Sequence, residues 1–175
     1  MRNLFIAVSV LCVLTVASAK IVAQSDLDKL DDKFSRHLEK VLPGWTHDRG
    51  EPVVKGENVL IQYWYSPNKA IKISVMPYKS ATDARAALED FVRYERDRTQ
   101  LKDFGDDGYA WGFAESKVVF IKGKLLVFVS SRVEAGSSPE ERALGQDQRF
   151  EREKDEMRKW SREFAKHAAN AVDDQ

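Results

Sequence analysis

Residues 125–129 place the strongest constraint on how this chain can fold. All five residues, Leu-Leu-Val-Phe-Val, are apolar, so a β-strand formed here presents apolar side chains to both faces of its sheet. Such a strand must be central, with other elements covering each face. The sequence therefore predicts a sheet with helices packed on both of its faces.

Alternating residues predict an antiparallel hairpin earlier in the chain. The odd positions of residues 59–65 are all apolar or aromatic, and residues 71–75 repeat the alternation. Residues 66–69 between them, Ser-Pro-Asn-Lys, form a four-residue turn with proline at its second position. Residues 52–54, Pro-Val-Val, are a candidate for a short edge strand before this hairpin.

A second block of three strands is predicted at residues 109–113, 117–121 and 125–130. The last two flank a tight turn at Lys122-Gly123-Lys124, where the glycine permits a positive φ. With the helices described next, the chain is predicted to be α+β, with a single antiparallel sheet of five to six strands and the element order α-(β)ββ-α-βββ-α.

Apolar residues at spacings of three and four predict three helices. The first begins at Ser25 and ends at Pro43, the second has Ser80 as its N-cap, and the long third follows Ser138-Pro139, with Gly145 as a candidate break that would detach its first turns. Their predicted buried stripes are Leu27, Leu30, Phe34, Leu38 and Val41 in the first, Ala84, Ala87, Leu88, Phe91 and Tyr94 in the second, and Phe150, Met157, Trp160, Phe164, Ala168 and Ala171 in the third.

The first residues of the chain indicate export. Arg2 precedes an apolar run over residues 4–16, and Ala17-Ser18-Ala19 forms a small-residue processing site. Because the run is shorter than the roughly 20 residues that span a bilayer, it predicts a signal peptide and no stable membrane insertion after cleavage. The expected organisation is a signal peptide at residues 1–19 and one α+β domain at residues 20–175, located in the periplasm or outside the cell.

Composition narrows the chemistry of the domain. The one cysteine, Cys12, lies in the predicted signal peptide, so the mature chain has no thiol, no disulfide and no cysteine ligand for a metal. Lys plus Arg and Asp plus Glu are equal at 28 each. Since no overall positive field attracts polyanions, nucleic acid is not an expected partner.

Aromatic residues of the predicted strands form the candidate ligand-binding site. Trp64 and Gln62 lie on the face of their strand opposite the alternating apolar row, and Lys72 is predicted on the same face. Trp45 and Trp111 are the other candidates. An aromatic-lined groove of this kind would stack on a sugar, a peptide or an apolar ligand. The competing interpretation is that Trp64 packs beneath a helix.

No cofactor is predicted. Asp103, Asp106 and Asp107 form a candidate calcium site, but their spacing departs from the known calcium loop, so a turn that leads into the next strand is preferred. His37 and His167 lie on the first and last helices, whose packing could bring them together, although their spacing is not that of a metal site.

The stretch Gly105-Asp-Asp-Gly-Tyr-Ala-Trp111, followed by residues 118–120 and a Lys-Gly turn, resembles a pattern of small exported bacterial domains. The resemblance implies an exported α+β domain. Those domains lack a defined activity, so it assigns no catalytic residue.

Together these features favour an exported, non-catalytic domain that binds a small ligand or a protein of the cell envelope. One alternative is an envelope hydrolase that uses acidic residues and His47, which is predicted to lie in a loop with Asp48. Another is a protein-docking module that uses the charged face of the last helix, over residues 149–166.

Overall fold

Seven strands form one antiparallel sheet in the part of the chain that the computed structural model describes, residues 26–50, 58–133 and 142–173. The elements in chain order are α1 (residues 26–41), β1 (Thr46–Gly50), β2 (Leu60–Ser66), β3 (Lys69–Pro77), α2 (Ala81–Val92), β4 (Thr99–Leu101), β5 (Asp107–Trp111), a 3-10 turn (Phe113–Glu115), β6 (Lys117–Lys122), β7 (Leu125–Val133) and α3 (Gln146–Asp173). The strand order is β1-β2-β3-β7-β6-β5-β4, so the last strands of the two blocks meet at the centre.

The sheet is covered on both faces, as residues 125–129 predict. Helices α1 and α3 pack on one face, where the core includes Phe34, Phe164 and Val127. Helix α2 packs on the other face, where Leu88 contacts the core formed around Leu126. Neighbouring residues of β7 thus belong to two different cores, which explains the unbroken apolar sequence of this strand.

The prediction of five to six strands gives too few strands, because the sequences of two edge strands lack the alternating apolar residues that predict a strand. Strand β1, Thr-His-Asp-Arg-Gly, pairs with β2 although it has no alternating apolar residues. Strand β4 has three residues and pairs with β5. Edge strands lie at the margin of the core, so their sequences need little apolar character. His47 and Asp48 consequently lie in a strand, where a loop was expected.

The predicted turns and caps are present. Ser66 and Lys69 are paired at the end of the β2–β3 hairpin. Gly123 has a φ of +55° in the turn between β6 and β7. The Ser80 hydroxyl accepts a hydrogen bond from the Asp83 amide, as expected of an N-cap.

Three predicted core aromatics are exposed. The stripe of α2 continues from Leu88 to Val92, which leaves Phe91 40% exposed, and Tyr94 follows the end of the helix with 83% exposure. Phe150 lies in the early turns of α3 and contacts Phe113, which belongs to the 3-10 turn and not to β5. The long helix begins at Gln146, directly after the candidate break at Gly145. The candidate edge strand at residues 52–54, the predicted helix starts at Ser25 and at Ser138-Pro139, and the predicted signal peptide at residues 1–19 lie outside the described residues.

Candidate functional site

Three of the four candidate ligand-binding residues meet on one face of the sheet. Trp64 and Gln62 are fully buried, and Trp45 is nearly so. The rings of Trp45 and Trp64 lie 4.7 and 5.9 Å from the Phe164 ring of α3. These side chains therefore form part of the core beneath α3.

The fourth candidate, Trp111, lies on the opposite face under α2. It is 3% exposed, and its ring contacts Phe91 at 6.0 Å and Phe128 at 5.8 Å. The structure thus does not bring Trp111 together with Trp64.

Lys72 lies on the other face of the sheet from Trp64, because the β2–β3 register pairs it with Tyr63. The Tyr63 ring is 5.9 Å from the lysine Nζ. The expectation that Lys72 and Trp64 share a face is wrong for this reason.

Hydrogen bonds with neighbouring side chains satisfy the polar amide of Gln62 within this core. Its Oε1 accepts a hydrogen bond of 3.0 Å from Trp64 Nε1, and its Nε2 donates to Asp31 Oδ1 at 2.6 Å and to Ser35 Oγ at 2.9 Å. A buried amide without partners would be costly, so these bonds offset its desolvation. They also fasten α1 to β2.

His47 extends this network towards the surface. Its ring stacks on Trp64, with centroids 4.5 Å apart, and its Nε2 lies 3.0 Å from Ser35 Oγ. Its Nδ1 faces Glu39 Oε1 at 3.5 Å. A neutral imidazole protonated at Nδ1 accepts the Ser35 proton at Nε2. We refer to Ser35, His47 and Glu39 as the His47 triad.

Sequence reasoning identified His47 but not its two partners. Ser35 and Glu39 are four residues apart in α1, so both lie on one side of the helix. That spacing is common to all amphipathic helices. Only the pairing of β1 with β2, which the sequence patterns did not predict, places His47 against these two residues.

A pocket of about 680 Å³ lies at another part of the molecule, where residues 26–30 of α1 and Val172 of α3 approach the β6–β7 turn. We call it the α1–α3 pocket. Apolar side chains from four elements supply much of its wall, and polar groups occupy other positions. Its lining consists of Asp26, Leu27, Leu30, Asn58, Pro77, Tyr78, Lys122, Gly123, Lys124, Leu125 and Val172.

Three of the described residues that line the α1–α3 pocket, Lys122, Lys124 and Asp26, have charged side chains. Lys122 and Lys124 flank the glycine of the β6–β7 turn. Asp26 lies 3.7 Å from Lys29 of the next helical turn. Tyr78 also borders the pocket, but its side chain packs against the core beneath α2, where burial raises the pKa of its phenol.

The candidate calcium residues have other contacts. Asp106 Oδ2 accepts the Gly123 amide at 2.7 Å, and Asp107 Oδ1 accepts the Gly108 amide at 2.9 Å, whereas Asp103 is exposed. Within the described ranges, no three or more His, Cys, Asp or Glu side chains are grouped to hold a metal ion. The Asp106 contact joins the segment before β5 to the β6–β7 turn, and the Asp107 contact lies at the start of β5.

Helix packing brings His37 and His167 together, with ring centroids 6.1 Å apart. Burial lowers the pKa of His167, and the nearby His37 and Lys166 lower it further, whereas Glu163 raises it. The pair therefore joins α1 to α3 as a contact that is sensitive to protonation.

Comparison of the chain with protein-family models, with curated proteins and with solved structures found no match. Among the helices in the described ranges, none combines the length and the apolar composition needed to cross a bilayer.

Proposed function

We propose that this chain is an exported, non-catalytic domain that binds a small, largely apolar molecule in the α1–α3 pocket. The observation that carries the proposal is the pocket itself. Its volume of about 680 Å³ lies within the range typical of small-molecule sites, roughly 300–1,000 Å³. Such sites combine apolar walls with a few polar groups that orient the ligand.

The apolar residues of the pocket support this proposal further. Leu27, Leu125 and Val172 are each under a tenth exposed, yet all three border the pocket. Side chains that face an opening lack the dispersion contacts that a close-packed neighbour provides. An apolar ligand would supply those contacts and remove the remaining apolar surface from water.

Thermal unfolding tests the proposal directly. A ligand that binds only the folded state raises the melting temperature, so the purified protein is screened against alkyl, aromatic and glycan compounds. We expect apolar compounds to raise the midpoint and Leu30→Trp, which adds volume to the pocket wall, to reduce that shift. Ala86→Trp adds the same side chain at an exposed position of α2 and is the control. Equal shifts in both variants would place the ligand elsewhere.

Export is the second part of the proposal, and it rests on the apolar run at residues 4–16 and the Ala17-Ser18-Ala19 site. In bacterial cells that express the full chain, we expect the exported product to begin at Lys20. Leu14→Arg interrupts the apolar run and should keep the uncleaved protein in the cytoplasm. Cytoplasmic protein with an intact N-terminus in the unchanged chain would overturn this part.

A hydrolase is a second candidate function, favoured by the His47 triad. Ser35 Oγ lies 3.0 Å from His47 Nε2, and Glu39 faces the opposite ring nitrogen at 3.5 Å. In this scheme, Ser35 Oγ attacks an ester carbonyl while His47 takes the serine proton. His47 then returns that proton to the departing alcohol, and water releases the acyl group from Ser35.

The hydrolase ranks second because the same atoms have a structural role. Ser35 Oγ also accepts the Gln62 amide proton at 2.9 Å, so the hydroxyl takes part in the network that fastens α1 to β2. Hydrolysis of p-nitrophenyl acetate that disappears in Ser35→Ala, with an unchanged melting temperature, would favour the enzyme. Activity that survives Ser35→Ala would exclude this mechanism.

A further inference from the structure

Five side chains from five neighbouring strands form one row across the face of the sheet on which α2 packs. The pairing of β2, β3, β7, β6 and β5 places these residues directly opposite one another, and opposite residues of an antiparallel sheet point to the same face. We call this set the Lys72–Lys117 row. In strand order it consists of Tyr63, Lys72, Ser130, Lys117 and Trp111.

Contacts of neighbouring residues establish which face the row occupies. Trp111 belongs to the core beneath α2. Ser131 donates a hydrogen bond of 2.9 Å to the Met157 carbonyl of α3, so the preceding residue, Ser130, points away from α3. Lys117 is exposed and Ser130 is half-buried. Solvent therefore reaches the row beside the covered Trp111.

Two positive charges lie in the middle of the row without a matching negative charge. Lys72 and Lys117 both lie directly opposite Ser130, so their Cα atoms are about 10 Å apart, twice the spacing of paired antiparallel residues. Among the residues that the structure describes, neither lysine forms an ion pair. Asp48 is paired with Tyr63 and is therefore two strands away from Lys72.

Each of the two lysines lies beside an aromatic ring of the next strand outward. Lys72 Nζ is 5.9 Å from the centre of the Tyr63 ring, and Lys117 Nζ is 6.0 Å from that of Trp111. These distances are at the limit of a cation–π contact, so the rings hold the ammonium groups weakly. The flexible stems allow both groups to turn inward over Ser130, where an anion between them would offset their mutual repulsion.

The Ser130 hydroxyl is a third donor, between the two lysines. It has no hydrogen-bond partner among the described residues. The row thus offers three donors and two positive charges above one residue of β7. A phosphate monoester matches this set, because it carries about two negative charges at pH 7 and three acceptor oxygens. A carboxylate, with one charge and two oxygens, matches it less well.

Aromatic side chains beside the row favour an organic group on the phosphate. Phe128 lies two residues before Ser130 in β7 and therefore points to the same face. Its ring contacts the Phe91 ring of α2 at 5.3 Å, and Phe91 is 40% exposed. A flat apolar group attached to the phosphate would cover this exposed ring surface.

We propose that the Lys72–Lys117 row binds a soluble aromatic phosphate monoester, at a second site separate from the α1–α3 pocket. The phosphate lies between the ammonium groups of Lys72 and Lys117 and accepts a hydrogen bond from the Ser130 hydroxyl. The aromatic group of the ligand lies on Phe128 and Phe91. None of these five residues lines the α1–α3 pocket, so the two sites are tested separately.

A matched ligand series tests the phosphate. Phenyl phosphate, benzoate and phenol are titrated into the purified protein at low ionic strength, with binding followed by calorimetry. We expect phenyl phosphate to bind most tightly and phenol least tightly, and added sodium chloride to weaken the binding of phenyl phosphate most. Inorganic phosphate lacks the ring and should bind more weakly than phenyl phosphate. Equal affinities for phenyl phosphate and phenol would overturn the inference.

A charge-removing variant tests the assignment of the two lysines. Lys72→Gln with Lys117→Gln should weaken phenyl phosphate binding about tenfold, because two exposed ion pairs of modest strength are lost. Lys40→Gln with Lys102→Gln removes the same charge at exposed positions outside the row and is the matched control. Ser130→Ala should weaken binding by a smaller factor. An equal loss in both double variants would mean that only the net charge matters and would overturn the assignment.

The outcomes separate this inference from the proposed function. Leu30→Trp adds volume to the wall of the α1–α3 pocket and should leave phenyl phosphate binding unchanged. If it abolishes that binding, the phosphate lies in the pocket and the inference fails while the pocket stands. Binding to vesicles that contain phosphatidic acid, without binding of phenyl phosphate, would also overturn the inference, since the phosphate would then belong to a lipid surface.

Discussion

His47 lies nearly parallel to Trp64, with an angle of 19° between the ring planes and 4.5 Å between their centroids. The two residues are direct neighbours across the β1–β2 pair. Through this stack, an edge strand of polar sequence gains a contact with the core, because Trp64 is fully buried. The hydrogen bond from Trp64 to Gln62 then continues the connection to α1.

Gln62→Ala should lower the free energy of unfolding by about 3 kcal/mol. The substitution leaves Trp64 Nε1 and Asp31 Oδ1 without the partners seen at 3.0 and 2.6 Å, and it opens a small cavity. Urea denaturation measures the change. Gln100→Ala, at an exposed glutamine of β4, is the control and should change stability by less than about 0.5 kcal/mol. Equal effects of the two substitutions would show that the network does not stabilise the fold.

Gly105→Ala should be far more destabilising than Gly123→Ala. Both glycines have positive φ, +61° and +55°. A Cβ at Gly105 would lie 2.1 Å from the Ile121 carbonyl oxygen, whereas no atom lies within 4 Å of a Cβ at Gly123. We expect a loss above about 3 kcal/mol for Gly105→Ala, and about 1 kcal/mol for Gly123→Ala from backbone strain alone. Similar unfolding midpoints in urea for the two variants would contradict the close packing of Gly105 on β6.

The ion pair between Glu156 and Lys69 should stabilise the protein only above the titration range of the carboxylate. Burial opposes ionisation of Glu156, but hydrogen bonds from Lys69 and Trp160 outweigh it and lower the pKa below its ordinary 4.5. A lowered pKa in the folded state stabilises above pH 4.5, and this contribution disappears as the pH falls through the folded-state value.

Glu156→Gln should therefore cost about 1 kcal/mol at pH 7 and almost nothing near pH 3. Guanidinium titrations at several pH values measure the difference. Glu151→Gln disrupts the more exposed pair with Lys154, at 2.8 Å, and should have a smaller effect at every pH. A Glu156→Gln penalty that does not depend on pH would mean that charge plays no part in this contact.

Much of the fold follows from short patterns in the sequence, because those elements are specified locally. The apolar residues of β7 predict a central strand, and Ser80 predicts the start of α2. Strand β1 could not be predicted in this way, since its stability depends on its pairing with β2 and on the His47–Trp64 stack. Its contacts exist only in the assembled sheet.

The candidate sites were harder to predict, because they combine residues that are far apart in the chain. Aromatic residues of strands indicate burial and binding equally well, so Trp64 could be a ligand contact or part of the core. The α1–α3 pocket joins residues from Asp26 to Val172. None of its residues stands out from a core or surface position in the sequence, and the pocket exists only once α1 and α3 have met the β6–β7 turn.

The contact between His37 and His167 should make stability fall in mild acid. Burial lowers the pKa of His167 below its ordinary 6.5, and His37 and Lys166 lower it further, against the opposing effect of Glu163 at 3.6 Å. The unfolded chain then binds a proton at a higher pH than the folded one. Stability from this group is complete above about pH 6.5 and is lost as the pH falls towards the folded-state value.

Urea titrations between pH 5 and pH 8 measure this effect. The unchanged protein should lose stability towards pH 5, and His167→Gln should reduce the slope, because glutamine cannot take up a proton. His47→Gln, at a histidine of β1 that faces Ser35 and Glu39, is the comparison variant and should leave the contribution of His167 in place. If His167→Gln keeps the full pH dependence, the acid sensitivity arises from other groups, and the α1–α3 contact is not responsible for it.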